Sequence, residues 1–333
     1  MTSTPSSPGQ SRAIAMILGS CISLQFGAAL ATQLFADLGP VGVTTLRLGI
    51  AGMILLVLIR PAVHLWTTGQ WRAVVLFGLT LGAMNGCFYL AIDRIPLGTA
   101  VAIEFLGPLV LAAILSRRGR DLLCVLLALL GMGLFGVDSM LGAESLDLVG
   151  VLFAAVAGVF WGCYVLTSAR VGQLIPGQGG LAVAVTIGSL GLLPMGMGGV
   201  IEAVANPQLL LLAGGTALLA TVIPYTLELS ALRRLPRHVF GVLLSLEPVI
   251  ALIAGLILLG QGVTPLTVGA VVLVVIASIG ITLSARPPRA GTPDEVRGKP
   301  QNRQAASRSE RFSAETTASM DARTIDPSMP TPQ

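Results

Sequence analysis

Residues 91–108 read "AIDRIPLGTAVAIEFLGP", and residues 231–248 read "ALRRLPRHVFGVLLSLEP". The two align at an offset of 140, with Ala91 on Ala231, Arg94 on Arg234, Pro96 on Pro236 and Pro108 on Pro248. A second match sets "FGAALAT" at 26–32 on "WGCYVLT" at 161–167, pairing Gly27 with Gly162 and Thr32 with Thr167 at an offset of 135. Loop lengths therefore differ slightly between the copies. Each match alone is within the reach of chance in Ala- and Leu-rich sequence; two in the same order describe a duplicated unit.

What is duplicated follows from the apolar segments around these matches. Ten can be marked: 13–36, 41–59, 72–92, 97–115, 122–138, 148–169, 181–203, 209–231, 238–259 and 264–285. Most are long enough to span a hydrocarbon core of about 30 Å at a helical rise of about 1.5 Å per residue. The ten-residue alternation of a transmembrane strand does not appear. The chain is 54% hydrophobic and only 11% charged, against about 25% charged in soluble domains. The expected fold is an all-α polytopic membrane protein, with five helices over 13–138 and five more over 148–285.

The connecting loops set the orientation. Arg12, Arg60, Arg72, Arg117, Arg118, Arg120, Arg170, Arg233, Arg234, Arg237, Arg286 and Arg289 fall on one side. Asp37, Asp93, Asp138, Glu144, Asp147 and Glu202 fall on the other, with Arg94 as the single base. The positive-inside rule then places both termini in the cytoplasm. Five helices per copy is an odd number, so the second copy must insert upside down. The Asp93–Pro96 turn accordingly lies outside and its partner Leu232–Pro236 inside. Inverted repeats are a recurring plan of secondary transporters, which place the substrate near the midplane between halves.

The ends are simpler. Residues 1–12 form a polar cytoplasmic tail, and "ALA" at 29–31 resembles a signal-peptide cleavage site. The first segment is longer than a typical signal h-region and has a counterpart in the second half, so it reads as a membrane helix. Residues 286–333 are rich in Pro, Ser, Thr and charge, and we expect a disordered cytoplasmic tail. The net charge of +4 divides evenly between the apolar part and this tail and does not suggest nucleic acid. Cys21, Cys87, Cys124 and Cys163 lie in apolar runs without CxxC spacing, as packing residues do. With no HExxH, GxSxG or phosphate loop ("GQGG" at 177–180 lacks the lysine), neither an enzyme nor a cofactor or metal is expected.

Four ionisable side chains remain inside the segments: Arg47, Glu104, Glu228 and Glu247. Each costs about 2.5–3.5 kcal/mol at a helix centre, so the set must face itself, water or a ligand. A buried Arg–Glu pair that locks helices is the plain alternative, but three acids and one base cannot all pair. Prolines accompany the acids. Pro108 leaves the carbonyl of Glu104 without its helical donor, Pro224 does the same for Ala220, and Pro248 for Leu244. Such backbone is tolerated at membrane depth only where protein or a wet cavity lines it. Three carboxylates and a guanidinium suit a zwitterion, with a glutamate on the α-ammonium and Arg47 forked onto the α-carboxylate. Carboxyl groups in partly dry surroundings are also candidate proton carriers. Gln25, Asn85, Tyr89, Tyr164 and Tyr225 are further candidates for the cavity wall, or bond across helices. Gly78, Gly82 and Gly86, and Gly158 with Gly162, have GxxxG spacing for close helix packing. His64 and His238 read as surface residues.

At "GVTTLRLGIAG" around Arg47, "LGAMNGCFYLAI" at 81–92 and "IPLGTAVAIEFLGPL" around Glu104 the sequence resembles a known family. "SRRGRDL" at 116–122, "IPYTLELSALRRLP" around Glu228 and "LLSLEPVIALIAGLILLGQGVTP" around Glu247 extend the likeness over most of residues 15–285. It is similar to the threonine/homoserine exporter group of the EamA branch of the drug/metabolite transporter superfamily. The resemblance implies ten helices, an inverted five-plus-five repeat and outward transport of small amino acids across a bacterial inner membrane, driven by protons. The tail after 286 lies outside it. The partners expected are an amino acid, protons and the bilayer, with no nucleic acid; a homodimer is compatible. An exporter of another small amine or drug-like cation, and a non-transporting scaffold or sensor, are the competing readings.

Overall fold

The computed structural model describes residues 8–116, 119–141, 147–232 and 243–284. All regular elements among them are helical: α1 (Pro8–Thr32), α2 (Phe35–Ile59), α3 (Thr68–Ile92), α4 (Leu97–Glu104), α5 (Leu106–Ser116) and α6 (Gly119–Leu141). There follow α7 (Leu148–Leu174), α8 (Gly179–Ala205), α9 (Pro207–Ala217), a π turn (Leu218–Val222), α10 (Ile223–Leu232), α11 (Glu247–Leu259) and α12 (Pro265–Ser284). A short 3₁₀ turn, Val63–Leu65, precedes α3.

Among the described residues, six stretches are long and apolar enough to cross a membrane: Arg12–Thr32, Phe35–Ile59, Thr68–Ile92, Leu148–Leu174, Gly179–Ala205 and Pro207–Glu228. Leu97–Leu111, Glu247–Leu259 and Pro265–Gly280 are shorter apolar helices. Large apolar side chains cover the outside: Leu58, Leu115, Leu123, Met195 and Leu211 are all more than 60% exposed. A bundle that turns leucine outward is solvated by lipid, because helices satisfy their own backbone groups and leave nothing polar facing the hydrocarbon. The chain is a polytopic membrane protein.

Small residues bring the helices together. A Cβ on Gly82 would stand 2.7 Å from the Gly188 carbonyl, and one on Gly78 as close as 2.6 Å to the Ala184 carbonyl. The Gly78/Gly82 spacing thus seats α3 on α8, while Gly158 and Gly162 of α7 face Glu104, Gly107 and Leu111. Elsewhere α2 packs on α8, α3 on α7, α1 on α10, α4 on α11 and α6 on α12. The cap chemistry is local. Thr67 and Gln70 form a reciprocal capping box at the start of α3, and Gln261 Oε1 accepts the Leu97 N–H at the start of α4, one of the donors a helix leaves unpaired.

Three sequence-based boundaries change. Residues 33–36 leave the first segment, because Leu34, Phe35 and Leu38 are buried in the main apolar cluster. Phe35 instead opens α2, which is broken at Gly39 (φ 66°) just before Pro40; glycine alone occupies that left-handed region at no cost. The segment 97–115 is two helices, ending and restarting around Phe105. In the segment 238–259 a turn at Ser245–Leu246 precedes α11. Expectations that fall on Arg117, Arg118, Glu144, Arg233, Arg234, Arg237, Pro236, His238 and the 286–333 tail lie outside the described residues.

Candidate functional site

The breaks in α4/α5, α9/α10 and before α11 surround one cavity of about 360 Å³. Every polar residue singled out in the sequence lines it: Gln25 from α1, Arg47 from α2, Asn85 and Tyr89 from α3, Glu104 from α4, Tyr164 from α7, Tyr225 and Glu228 from α10, and Glu247 from α11. Pro224 is on the wall as well. Pro108, in the first turn of α5, and Pro248, at the start of α11, are not among the lining residues and act through the backbone they interrupt.

Arg47 is 3% exposed and anchored from several sides. Its Nη1 donates to the Ala220 carbonyl at 3.0 Å and to Thr221 Oγ1 at 3.2 Å, and its Nη2 donates to Asn85 Oδ1. Asn85 donates in turn to the Leu81 carbonyl at 2.9 Å, which fixes the orientation of its amide. The guanidinium carbon lies 4.7 Å from the centre of the Tyr89 ring, a cation–π contact. The Ala220 carbonyl is the one that Pro224 deprives of its ordinary helical donor. It sits in the π turn, a distortion common at functional sites. All these partners are neutral. Among the described residues Arg47 makes no ion pair with a carboxylate, so it forms no helix-locking pair with Glu104, Glu228 or Glu247.

The acids differ in their settings. Glu104 ends α4 and is 8% exposed. Its freed backbone carbonyl is met by the backbone of Gly158, where a Cβ would come within 2.7 Å. Glu228 accepts from Ser20 Oγ at 2.7 Å. Glu247 occupies the first turn of α11, where the helix dipole favours negative charge, and the Cys21 thiol lies 3.9 Å from its Oε1. Three polar atoms of the lining residues are buried without any partner: Gln25 Oε1, Arg47 Nε and Tyr89 Oη. Such orphans are rare in folded proteins and ask for an occupant or water.

Sequence reasoning missed part of the wall. Phe88, Trp161, Val165 and Ser168 line the cavity, with Trp161 set edge-on against Phe105 at 4.7 Å. Ser20 and Thr221 hold two of the charged groups. An apolar or hydroxyl residue in a membrane helix looks the same in sequence whether it faces lipid or a cavity. The proline that frees the Ala220 carbonyl was the available signal for Thr221.

A partly polar cavity between interrupted helices, inside a bundle with a lipid-facing exterior, defines a membrane transporter. Residues 11–137 and 148–283 match the EamA-like transporter family, and the chain belongs to that family. It is 38% identical over 273 residues to the threonine/homoserine exporter RhtA of Escherichia coli strain K12, covering 82% of this chain and 92% of that one. RhtA of Salmonella typhimurium strain LT2 is similar to the same extent. The uncharacterized transporter YwfM of Bacillus subtilis strain 168 is 26% identical over 253 residues, 74% of this chain and 84% of that one. A crystal structure at 20% identity superposes with a TM-score of 0.54 over 83% of this chain and 98% of its own, a likeness in fold alone.

Proposed function

We propose that this chain is a secondary active exporter of small amino acids of the threonine and homoserine kind, set in the bacterial inner membrane. It couples outward substrate movement to inward proton movement by alternating access around the cavity. The observation that carries the reading is the state of Arg47: a buried guanidinium held entirely by neutral groups, with Nε open. The α-carboxylate of an amino acid supplies the missing charge, and Glu104 and Gln25 Oε1 accept its ammonium group. The likeness to the RhtA threonine/homoserine exporters supports the same substrate class.

The topology that goes with this reading has ten crossings, with 13–138 and 148–285 as inverted five-helix repeats, N- and C-terminal tails (1–12 and 286–333) in the cytoplasm. Two features support it. The family match falls in two stretches with the same division. Several elements of the first copy also pack on their own counterparts: α2 on α8, α4 on α11 and α6 on α12, as a two-fold axis between the halves requires.

The test is reconstitution in liposomes with labelled threonine and homoserine, with and without a pH gradient. Uptake stimulated by the gradient supports the reading; no flux of either compound overturns it. A second reading, export of an organic cation, draws on the aromatic walls of Phe88, Trp161 and Tyr164 beside an excess of acids. Competition by amines but not by amino acids in the same vesicles is its signature.

A further inference from the structure

The three carboxyls of the cavity fall into two groups. Glu228 takes a hydrogen bond from Ser20 and Glu247 faces the thiol of Cys21. Ser20 and Cys21 are consecutive residues of α1, which packs on both α10 and α11. Consecutive residues in one turn of α1 therefore meet the two carboxyl groups. Glu104 stands apart from that turn, at the end of α4. Arg47 itself is taken up by Ala220, Thr221 and Asn85.

We infer that the cavity divides its work: Glu228 and Glu247 together hold the coupling proton, while Arg47 and Glu104 hold the amino acid. This rests on the exporter reading above. Two carboxylates placed together in surroundings poor in water repel, and one proton shared between them removes the repulsion. The other titratable or charged groups around the pair, among the described residues, are Cys21 on α1, Arg47 on α2, Glu104 on α4, Tyr164 on α7 and Tyr225 on α10. None of them is a cation in contact with the pair, so among the described residues no side chain neutralises it and a bound proton can. In each cycle a proton passes from hydronium to a carboxyl oxygen when the cavity faces outward, and from that oxygen to water when it faces inward. Ser20 and Cys21 are positioning residues. The two groups are linked mechanically, because the stretch from Ala220 to Glu228 carries the carbonyl that anchors Arg47, the carbonyl of Pro224 that Ser20 also touches at 3.3 Å, and Glu228 itself.

The experiment uses the full chain in liposomes with the membrane potential clamped, comparing two readouts. One is exchange of labelled for unlabelled threonine; the other is accumulation driven by a pH gradient. One pH unit corresponds to about a tenfold accumulation ratio for a one-for-one exchange. Wild type is expected to do both. Glu228→Gln and Glu247→Gln are expected to keep exchanging threonine, with its pH dependence flattened, while the accumulation ratio falls to about unity, the value without coupling. Glu104→Gln is expected to lose exchange itself, through a raised KM. The assignment is overturned if either variant of the pair still accumulates threonine on the gradient, or if both lose exchange as Glu104→Gln does, which would make the pair part of the amino-acid site. Glu228→Asp, which keeps the carboxyl, guards against misfolding: recovery of accumulation supports the assignment, and failure to recover it in a folded variant counts against it. Failure of the exporter reading shows separately, as a wild type that exchanges neither threonine nor homoserine.

Discussion

Arg47 concentrates the chemistry of the site, and its planar fork predicts that lysine is a poor replacement. The guanidinium reaches Ala220, Thr221 and Asn85 at once while lying over Tyr89; a lysine ammonium is a point charge without that geometry. Hydrogen bonds to a charged group contribute about 1.5–3 kcal/mol each, so Arg47→Lys should raise the KM for threonine exchange at least about tenfold. An unchanged KM would show that the substrate carboxylate goes elsewhere. A second residue-scale expectation concerns Asp147, outside the membrane helices. Arg94 donates to it at 3.0 Å, and that bond, followed by the Val149 N–H that it caps, holds its carboxyl below the ordinary aspartate range. A carboxyl held low adds stability above its ordinary range and loses it as pH falls through the folded value. Thermal unfolding of Asp147→Asn should therefore come earlier than wild type at neutral pH and draw level in acid. A gap that persists in acid would assign the effect to packing.

Element-scale features were legible where polar chemistry broke an apolar pattern and illegible where it did not. Arg47, Glu104, Glu228 and Glu247 stood out because lipid cannot solvate them, and all four line the cavity. The freed carbonyls were readable from proline alone, and two of them have structural roles: Ala220 anchors Arg47 and Glu104 meets Gly158. The π turn was not readable, because Leu218–Val222 has the composition of any membrane helix. The break at Gly39 was readable, since Gly39–Pro40 falls in the gap between the segments 13–36 and 41–59; that Phe35 already opens a helix before it was not, because it depends on the burial of Phe35 and Leu38. The π turn carries its own test. Pro224→Ala restores an N–H that competes with Arg47 for the Ala220 carbonyl and lets the turn relax toward α-helix. The variant should unfold at higher temperature, by up to about 3 kcal/mol, the cost of proline within a helix, yet exchange threonine several-fold more slowly. Raised stability with undiminished exchange would separate the Ala220 anchor from transport.

At the scale of the whole molecule, the proposed inverted arrangement makes claims about sidedness that a soluble reagent can check. The buried cluster that contains Leu34, Phe35, Ile92, Ile95, Leu97 and Ala203 gathers the helix ends next to the acidic loops. A second buried cluster, with Leu55, Val74, Val171 and Ile175, gathers the helix ends next to the arginine-rich loops. The α7 wall of the cavity runs from Trp161 to Ser168, toward the end of the helix at Leu174. We predict that this state opens at the Ser168 end, on the arginine-rich side, which the positive-inside rule makes the cytoplasm. Consider a chain whose native cysteines, free in the structure, are replaced by alanine. Asp93→Cys, in the exposed turn after α3, should then react with a membrane-impermeant maleimide added to intact cells. Pro176→Cys, in the exposed turn between α7 and α8, should react only after the membrane is opened. Ser168→Cys should react from the same side as Pro176→Cys, and threonine in the medium should slow that reaction, since the residue lines the cavity the substrate fills. Labelling of Asp93→Cys and Pro176→Cys from one side would end the inverted topology. Labelling of Ser168→Cys from outside would instead leave the topology standing and reverse the direction in which this state opens.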